Sequence, residues 1–307
     1  MTTPLFADEP SPPPERPHRV LIVGAGPIGQ TLDRALTHAG YKVRSWSRSH
    51  GPLWAEGVTP SAAEIVILAV RDDAITQAAE YIIKHGGADA GSVLLHCAGG
   101  RPPSQLLGAL RPHVKGIGLL HPLRSFVHQG ARADADAAGP RSEHELLGTV
   151  MAIVGDTAGI AAGKELCEAL SGVPLLLAED RLPLYHAAAV LAAGHVATLL
   201  DIAIHLLSRA GLPRADGQRA LVELTASVLR NIEQVGLPQA LTGPVARGDA
   251  HTVKDHLDAL NQLSCQVGDV YRVVAESSLD VAYRKGAADD AALAAVGNVL
   301  TAAIPRR

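Results

Sequence analysis

Aromatic side chains are scarce in this sequence: Phe, Trp and Tyr together make up 3% of its 307 residues. Apolar residues nevertheless reach 47%, so a large core must be built from Ala, Leu, Val and Ile rather than from rings. Chains rich in Ala favour close-packed helices. The length allows one large domain or two domains of ordinary size.

Cysteine is also rare, and Cys97, Cys167 and Cys265 show no paired spacing. The sequence therefore predicts neither a disulfide framework nor a zinc site, and a reducing, cytoplasmic location is expected. The first residues lack the basic and apolar regions of a signal peptide. Residues 1–17, which are rich in proline, are instead predicted to form a disordered tail.

Long apolar runs and an excess of positive charge are lacking as well. No stretch approaches the roughly 20 uninterrupted apolar residues of a membrane span, and the formal net charge is −4. There is no basic stripe with interleaved aromatic residues. We therefore expect neither a nucleic acid nor a membrane as a partner.

Short apolar runs alternate with helical patterns along the first 180 residues, which indicates βαβ units and a doubly wound parallel sheet. Strands are predicted at residues 19–23, 42–47, 64–70, 92–97, 116–121, 150–154 and 173–177. Beyond this point only helices are predicted, the first as one long helix over residues 181–210. We therefore expect an α/β Rossmann domain at residues 18–180 and an all-helical domain at residues 181–307.

A glycine-rich segment, Gly24-Ala25-Gly26-Pro27-Ile28-Gly29, fits the G-x-G-x-x-G pattern between a predicted strand and a predicted helix. Gly24 allows a tight turn, Gly26 lets the backbone approach a pyrophosphate, and Gly29 lets helix and strand pack closely. The helix begins with Pro27 and Ile28 and offers N–H groups to the anion. This context predicts a dinucleotide site, and a glycine-rich turn in some other α/β protein is the alternative.

The end of the second predicted strand indicates which dinucleotide is bound. It carries Ser47, Arg48 and Ser49 and lacks the acidic residue that usually holds the ribose 2′-hydroxyl of NAD. The Arg48 guanidinium suits a 2′-phosphate, and Ser47 supplies a hydroxyl donor. NADP(H) is therefore predicted over NAD; the alternative is that Arg48 is only a solvated surface residue.

The third predicted strand ends at the same edge of the sheet. In a doubly wound sheet, the carboxyl ends of the strands face the nucleotide crevice. We therefore expect Ala69, Val70 and Arg71 to lie beside the phosphates and ribose of the cofactor. Either Asp72 or Asp73 is expected to cap the helix that follows.

Three further segments resemble a known family. They are IGLLHPLRSF at residues 117–126, YHAAAV at residues 185–190 and LTGPVARGDA at residues 241–250. Together they resemble a branch of Rossmann-like oxidoreductases whose C-terminal helical domain is a domain of unknown function, DUF2520. The run at residues 63–75 is similar to the wider superfamily of pyrroline-5-carboxylate reductase, prephenate dehydrogenase, ketopantoate reductase and hydroxyisobutyrate dehydrogenase.

The resemblance implies nicotinamide chemistry, a helical domain like that of 6-phosphogluconate dehydrogenase, and a homodimer formed through those helices. Hydroxyacid dehydrogenases and ketopantoate reductase place a catalytic Lys on the interdomain helix, with an Asn one turn later. This chain has no Lys between Lys164 and Lys254. His186 lies near the place of that Lys, and Val190 lies one turn on, so the lysine mechanism is not expected here.

Two histidines are candidates for proton transfer, because imidazole donates and accepts protons near neutral pH. His121 ends a predicted strand next to Pro122, an arrangement similar to the His-Pro of prephenate dehydrogenases. His186 begins the interdomain helix, where the resemblance places the acid. Ser125 is a third candidate, as a hydrogen-bond donor to the substrate. Structural burial, helix packing and a turn or cap are the respective alternatives.

A loop rich in Gly and Pro contains Thr242 and Arg247. Both are candidates for binding an anionic group of the substrate, Arg247 by bidentate pairing with a carboxylate. The resemblance to pyrroline-5-carboxylate reductases, which use a Thr-containing loop in a broadly similar place, supports this assignment. The alternative is a structural pair between Arg247 and Asp249 that braces the turn.

Taken together, these features predict an NADP-dependent reductase or dehydrogenase that acts on a small carbonyl, imine or hydroxy acid without a metal. The partners expected are a small-molecule substrate and a second copy of the chain. The alternative is a non-catalytic redox sensor that binds NADP(H), which the missing Lys and Asn favour.

Overall fold

Seven strands form one sheet in the order β2–β1–β3–β4–β5–β6–β7 in the computed structural model, which describes residues 18–54, 60–127 and 145–302. The strands are β1 Arg19–Val23, β2 Lys42–Trp46, β3 Ile65–Leu68, β4 Val93–His96, β5 Gly116–Pro122, β6 Val150–Gly155 and β7 Val173–Leu176. The tail predicted at residues 1–17 lies outside the described residues. Because the chain passes from β1 to one neighbour, β2, and then to the other, β3, the strand order reverses at β1.

Five helices accompany the sheet, and apolar side chains pack on both of its faces. The helices are α1 Pro27–His38, α2 Ile75–Lys84, α3 Pro103–Leu107, α4 Thr157–Ala169 and α5 Leu182–Ala192. Alternate residues of β1 enter different cores: Ile22 packs with Leu36 of α1, whereas Leu21 packs with Ile82 of α2. This two-sided packing confirms the predicted doubly wound Rossmann sheet.

One pair of strands differs from the predicted all-parallel sheet. β5 and β6 are antiparallel, with Gly118 opposite Gly155, whereas the other neighbouring strands are parallel. A parallel pair needs a crossover, usually a helix, and an antiparallel pair does not. The sequence between these strands carries no helical pattern, which is consistent with the antiparallel arrangement.

The start of α4 is fastened directly to β5, the strand that carries His121. Asp156 caps the helix by accepting a hydrogen bond from the Gly159 N–H at 2.9 Å, and its other oxygen accepts from the Ile117 N–H at 3.0 Å. A Cβ at Gly159 would overlap the carbonyl oxygen of Ile117. The position therefore requires glycine, and the contact fixes β5 against the helix.

The chain divides into two compact units, residues 1–193 and 194–307; the domain boundary predicted at residue 180 stays a prediction. The long helix predicted over residues 181–210 is interrupted at Ala193, whose φ of −118° and ψ of −78° depart from helical geometry. Glycine follows at position 194 and weakens a helix interior. Leu182 and Tyr185, on the first part, pack with the sheet residue Leu119, so this segment belongs to the α/β unit.

The second unit contains the predicted helices and has a small core of its own. The helices are α6 Gly194–Arg209, α7 Arg214–Val235, α8 Ala250–Leu263, α9 Cys265–Lys285 and α10 Asp290–Thr301. Val253, Leu257 and Val296 are buried together with Ala275. The all-helical character of this region agrees with the prediction.

Many apolar side chains of the helices face outward, including Leu184 and Leu229, which are 73% and 62% exposed. Within the described residues, one helical stretch, Glu179–Arg209, is long and apolar enough to span a membrane by length and composition. A single stretch of this kind is weak evidence for a membrane protein, and it runs through the interruption at Ala193. The expected homodimer would also cover such surfaces, and it stays a prediction.

Replacing two helical glycines by alanine is expected to change stability in opposite directions. At Gly159 the new methyl meets the Ile117 carbonyl, and such overpacking costs about 1–3 kcal/mol. At Gly297, within α10, it meets only the Leu279 side chain at an ordinary 3.6 Å, and helix propensity favours alanine by about 0.5–1 kcal/mol. Scanning calorimetry of both variants measures the difference. Equal effects of the two substitutions would contradict this packing.

Candidate functional site

The turn that follows β1 requires glycine at two positions. Gly24 has a φ of +131°, and a Cβ there would overlap the carbonyl oxygen of Ala69, just after β3. A Cβ at Gly29, in the first turn of α1, would overlap the carbonyl oxygen of Gly24. The absence of side chains therefore allows strand, turn and helix to approach one another closely, as the sequence pattern predicts.

Gly26 has a different role, because a Cβ there would have nothing within 4 Å. Glycine at this position keeps open the space in front of α1, which begins at Pro27 and has no side-chain cap on its N-terminus. Unpaired N–H groups and the positive end of the helix dipole face such a space. Ile28 of the same turn packs against the core. These residues fit the pyrophosphate of a dinucleotide.

The residues that follow β2 lie at the same edge of the sheet, because Trp46 pairs in register with Val23, directly before the glycine turn. Ser47 and Ser49 share a hydrogen bond between their hydroxyl groups at 2.8 Å. Arg48 is exposed in the short 3₁₀ turn that begins there. An exposed guanidinium flanked by two hydroxyls has the chemistry that a 2′-phosphate requires.

The residues after β3 lie against the glycine turn that follows β1. The Ala69 N–H donates to the Val23 carbonyl at 2.8 Å, and Val70 lies in contact range of Gly24. Arg71 forms an ion pair with Asp73 at 3.0 Å. The prediction that an aspartate caps α2 is wrong, because the cap residue is Ala74 and it makes no side-chain bond. Pairing with Arg71 occupies Asp73 instead.

Two of the predicted catalytic residues, His121 and His186, lie together at the carboxyl end of β5. His121 Nδ1 and the Tyr185 hydroxyl form a hydrogen bond of 2.8 Å, and the rings of His121 and His186 are 6.2 Å apart in an edge-on arrangement. Both histidine rings rest on a glycine turn after β4. A Cβ at Gly99 would lie 2.8 Å from the His121 ring, and one at Gly100 would lie 2.9 Å from the His186 ring.

Burial keeps the hydrogen-bonded pair uncharged at neutral pH. The pKa of His121 is lowered to about 4, first by burial and then by the neighbouring His186, with Asp72 acting in the opposite direction. Burial also raises the pKa of Tyr185 to about 12. At pH 7 a neutral imidazole therefore faces a neutral phenol, and His121 is not available as a cationic acid.

His96, at the end of β4, lies in the interior beneath this cluster. It is fully buried, its Nδ1 accepts a hydrogen bond from the Ala98 N–H at 3.2 Å, and its Nε2 has no partner among the described atoms. Burial, and then the nearby His121, lowers its pKa to about 4. His96 is therefore neutral, with its proton on Nε2.

The remaining predicted site residues are Ser125, in the α/β unit, and Thr242 and Arg247, in the helical unit. Ser125 is exposed on the segment after β5. Thr242, in the helical unit, lines an apolar cavity of about 230 Å³, and Arg247 is exposed and has no ion-pair partner among the described residues. Asp249 caps α8 by accepting from the Thr252 N–H at 3.0 Å. Its bonds to Thr252 and, to a lesser extent, the charge of Arg247 lower the pKa of Asp249. Within the described ranges, no group of three or more His, Cys, Asp or Glu side chains is placed to hold a metal ion.

Sequence reasoning did not assign a role to Tyr185 or to the second glycine turn, Gly99-Gly100. The sequence carries a signal for the glycine turn, since Gly99 and Gly100 come shortly after a predicted buried strand, as Gly24 and Gly26 do after β1. No local signal exists for Tyr185, because its hydrogen bond to His121 joins residues that are 64 positions apart in the chain.

Residues 149–278 match the model of the DUF2520 family, a domain of unknown function. The match extends from the start of β6 through most of α9, and it includes two of the three segments that resemble this family in sequence, at residues 185–190 and 241–250. No curated protein matches the chain in sequence.

Three solved structures are similar in fold. A candidate NADP oxidoreductase from Bacteroides fragilis has 20% identity and a TM-score of 0.64 over 85% of this chain and 98% of its own. A protein from Thermotoga maritima has 20% identity and a TM-score of 0.65 over 87% of this chain and 99% of its own. Pyrroline carboxylate reductase from Plasmodium falciparum, with NADP bound, has 13% identity and a TM-score of 0.53 over 85% of this chain and 98% of its own. At such identities the likeness establishes the fold, a Rossmann-type sheet followed by helices.

Acid is expected to destabilise the protein between pH 6.5 and 4 through its buried histidines. In that window the unfolded chain binds protons that folded His96 does not, so stability falls as the pH is lowered. Each unit of pKa shift corresponds to about 1.4 kcal/mol. Urea unfolding of His96→Asn at several pH values should give a shallower pH dependence than that of the parent. His251→Asn, at an exposed position, is the control; equal slopes for parent and His96→Asn would refute the assignment.

Proposed function

We propose, on the premise that residues 149–278 form a domain of the DUF2520 family, that the chain is an NADP(H)-dependent oxidoreductase. Its substrate is a small carbonyl, imine or hydroxy acid. The observation that carries this proposal is the meeting, at one sheet edge, of a glycine turn that fits a pyrophosphate and a partly buried Tyr185–His121 pair. When bound, the nicotinamide supplies the hydride acceptor or donor.

The nucleotide would be held by groups on three neighbouring strands. Backbone N–H groups at Gly26 and the start of α1 face the pyrophosphate, and Ala69 and Val70 border the same turn. At the end of β2, Arg48 and Ser47 suit the 2′-phosphate, where a carboxylate would repel it. This charge arrangement favours NADP(H) over NAD.

The protein's part in the chemistry is to stabilise charge on the substrate oxygen or nitrogen as the carbon gains or loses hydride. Tyr185 has the suitable donor, because its hydroxyl stays protonated at pH 7. If His121 carries its proton on Nδ1, it donates to the Tyr185 oxygen across 2.8 Å and leaves the phenolic O–H free for the substrate. His121 then orients the donor, and His186 borders the same space.

Reversing the charge at residue 48 is expected to reverse the nucleotide preference. Arg48→Glu should weaken NADPH binding tenfold or more, because the carboxylate repels the 2′-phosphate. NADH, which lacks that phosphate, should bind at least as well as before. Fluorescence titration of both nucleotides gives the two dissociation constants, and Arg219→Glu, on the helical unit, is the matched control. Parallel changes for NADPH and NADH would argue against a phosphate contact.

Removing one hydroxyl group tests the catalytic assignment. Tyr185→Phe is expected to lower kcat about 10²–10³-fold, as for the loss of an oxyanion donor, while the dissociation constant for NADPH stays the same. Turnover is followed by NADPH absorbance with a panel of keto and imino acids. Tyr41→Phe is the control, since the Tyr41 hydroxyl also makes a partly buried hydrogen bond, to Glu165 at 2.9 Å, away from the site.

The same measurements separate the enzyme from a redox sensor. A sensor would bind NADPH tightly, show no turnover with any member of the panel, and respond to Tyr185→Phe no differently from Tyr41→Phe. A loss of turnover that is confined to Tyr185→Phe supports the oxidoreductase.

A further inference from the structure

A cleft in the α/β unit adjoins the histidine cluster. It is lined by Arg71, Asp72, Asp73, Thr76, Arg101 and Leu106. Two of the segments that line the cleft directly follow segments of the candidate site in the sequence. Arg71 and Asp72 follow the end of β3, beside the glycine turn, and Arg101 follows Gly99-Gly100, on which the rings of His121 and His186 rest.

Most polar groups of the cleft are already paired with one another. Arg71 binds Asp73 through two contacts, of 3.0 and 3.2 Å. The Thr76 hydroxyl donates to the Leu106 carbonyl at 2.8 Å and so ties α2 to α3. In the described part of the chain, the guanidinium of Arg101 makes no ion pair and no hydrogen bond, although two carboxylates line the same cleft. Its donors are therefore available to a ligand.

The backbone that carries Arg101 is held on both sides. Before it, Gly99 and Gly100 contact the histidine rings. After it, two prolines restrict the chain, and the Ser104 N–H donates to a Glu179 carboxylate oxygen at 3.1 Å while the Ser104 hydroxyl binds the other oxygen. A side chain on a restrained backbone loses less freedom when it binds.

Asp72 links the cleft electrostatically to the reacting centre. Its charge acts on His121 and opposes the lowering of that pKa by burial. A negative group at this place disfavours a second anion close to the cluster. The cleft therefore combines one available guanidinium with one unpaired carboxylate, beside the two residues to which the proposed function assigns proton chemistry.

We infer that Arg101 binds the carboxylate of the substrate, which is a monocarboxylate with its reacting carbonyl, imine or hydroxyl carbon next to the acid group. The planar guanidinium pairs with a carboxylate through two parallel hydrogen bonds and so fixes the orientation of the adjacent carbon. Asp72 selects against dicarboxylates by repulsion. This inference rests on the proposed oxidoreductase function and names the substrate class of that site.

The test compares matched acid and neutral substrates with NADPH. A panel of 2-oxo and 2-imino monocarboxylates is assayed beside the corresponding carboxamides. Arg101→Gln should reduce kcat/KM for the carboxylates about ten- to hundredfold and leave the carboxamides unchanged. Arg101→Lys, which keeps the charge and loses the planar fork, should fall between. Arg219→Gln, at an exposed arginine of α7 paired with Asp216, is the control.

Two binding measurements keep the inference separate from the proposed function. Calorimetry of the 2-oxo monocarboxylates with the protein–NADP⁺ complex detects the carboxylate site even if no member is turned over, and the heat should vanish in Arg101→Gln. The dissociation constant of NADPH should be the same in Arg101→Gln and the parent. Weaker NADPH binding in that variant would assign Arg101 to the nucleotide, and equal losses for acids and carboxamides, or no acid binding at all, would overturn the inference.

Discussion

The close approach of backbone segments at the carboxyl edge of the parallel sheet is the constraint on which the site depends. Gly24 brings the turn after β1 against the Ala69 carbonyl, and Gly29 brings α1 against Gly24. Neither contact leaves room for a Cβ. These two contacts place the start of α1 directly over the point where the strand order reverses, and Gly26 then leaves the space in front of that helix open.

The same constraint recurs two strands further along the sheet. Gly99 and Gly100 let the rings of His121 and His186 lie against the backbone after β4, and the resulting burial is what lowers the pKa of His121. A low dielectric around a neutral imidazole and a neutral phenol strengthens their hydrogen bond. One structural device, the glycine turn after a buried strand, thus shapes both places to which the proposed function assigns a role, the nucleotide at β1 and the reacting groups at β4.

The sequence alone predicts the sheet and helices closely, because each strand is a short apolar run and the glycine pattern has a known structural context. The antiparallel step at β6 and the interruption at Ala193 were missed. The first depends on the pairing direction of two strands that are distant in sequence, and the second on a local backbone angle inside an otherwise apolar helix. The positions of His121 and His186 in the predicted elements mark them as candidates, but the role proposed for Tyr185 depends on a contact between distant parts of the chain, which no local pattern encodes.

The arrangement of these groups gives a physical reason why the helix after the sheet can lack the lysine of related dehydrogenases. A lysine on the helix after the sheet would place a positive charge beside the reacting carbon, whereas here that place holds His186 and, next to it, a phenol bonded to an imidazole. Under the proposed function, and with no Lys or Arg in the cluster among the described residues, the charge that orients the substrate would come from its border, where Arg101 and Asp72 lie. Separating the proton donor from the anion-binding cation lets the donor remain neutral at pH 7, because a cation in contact with the phenol would lower its pKa.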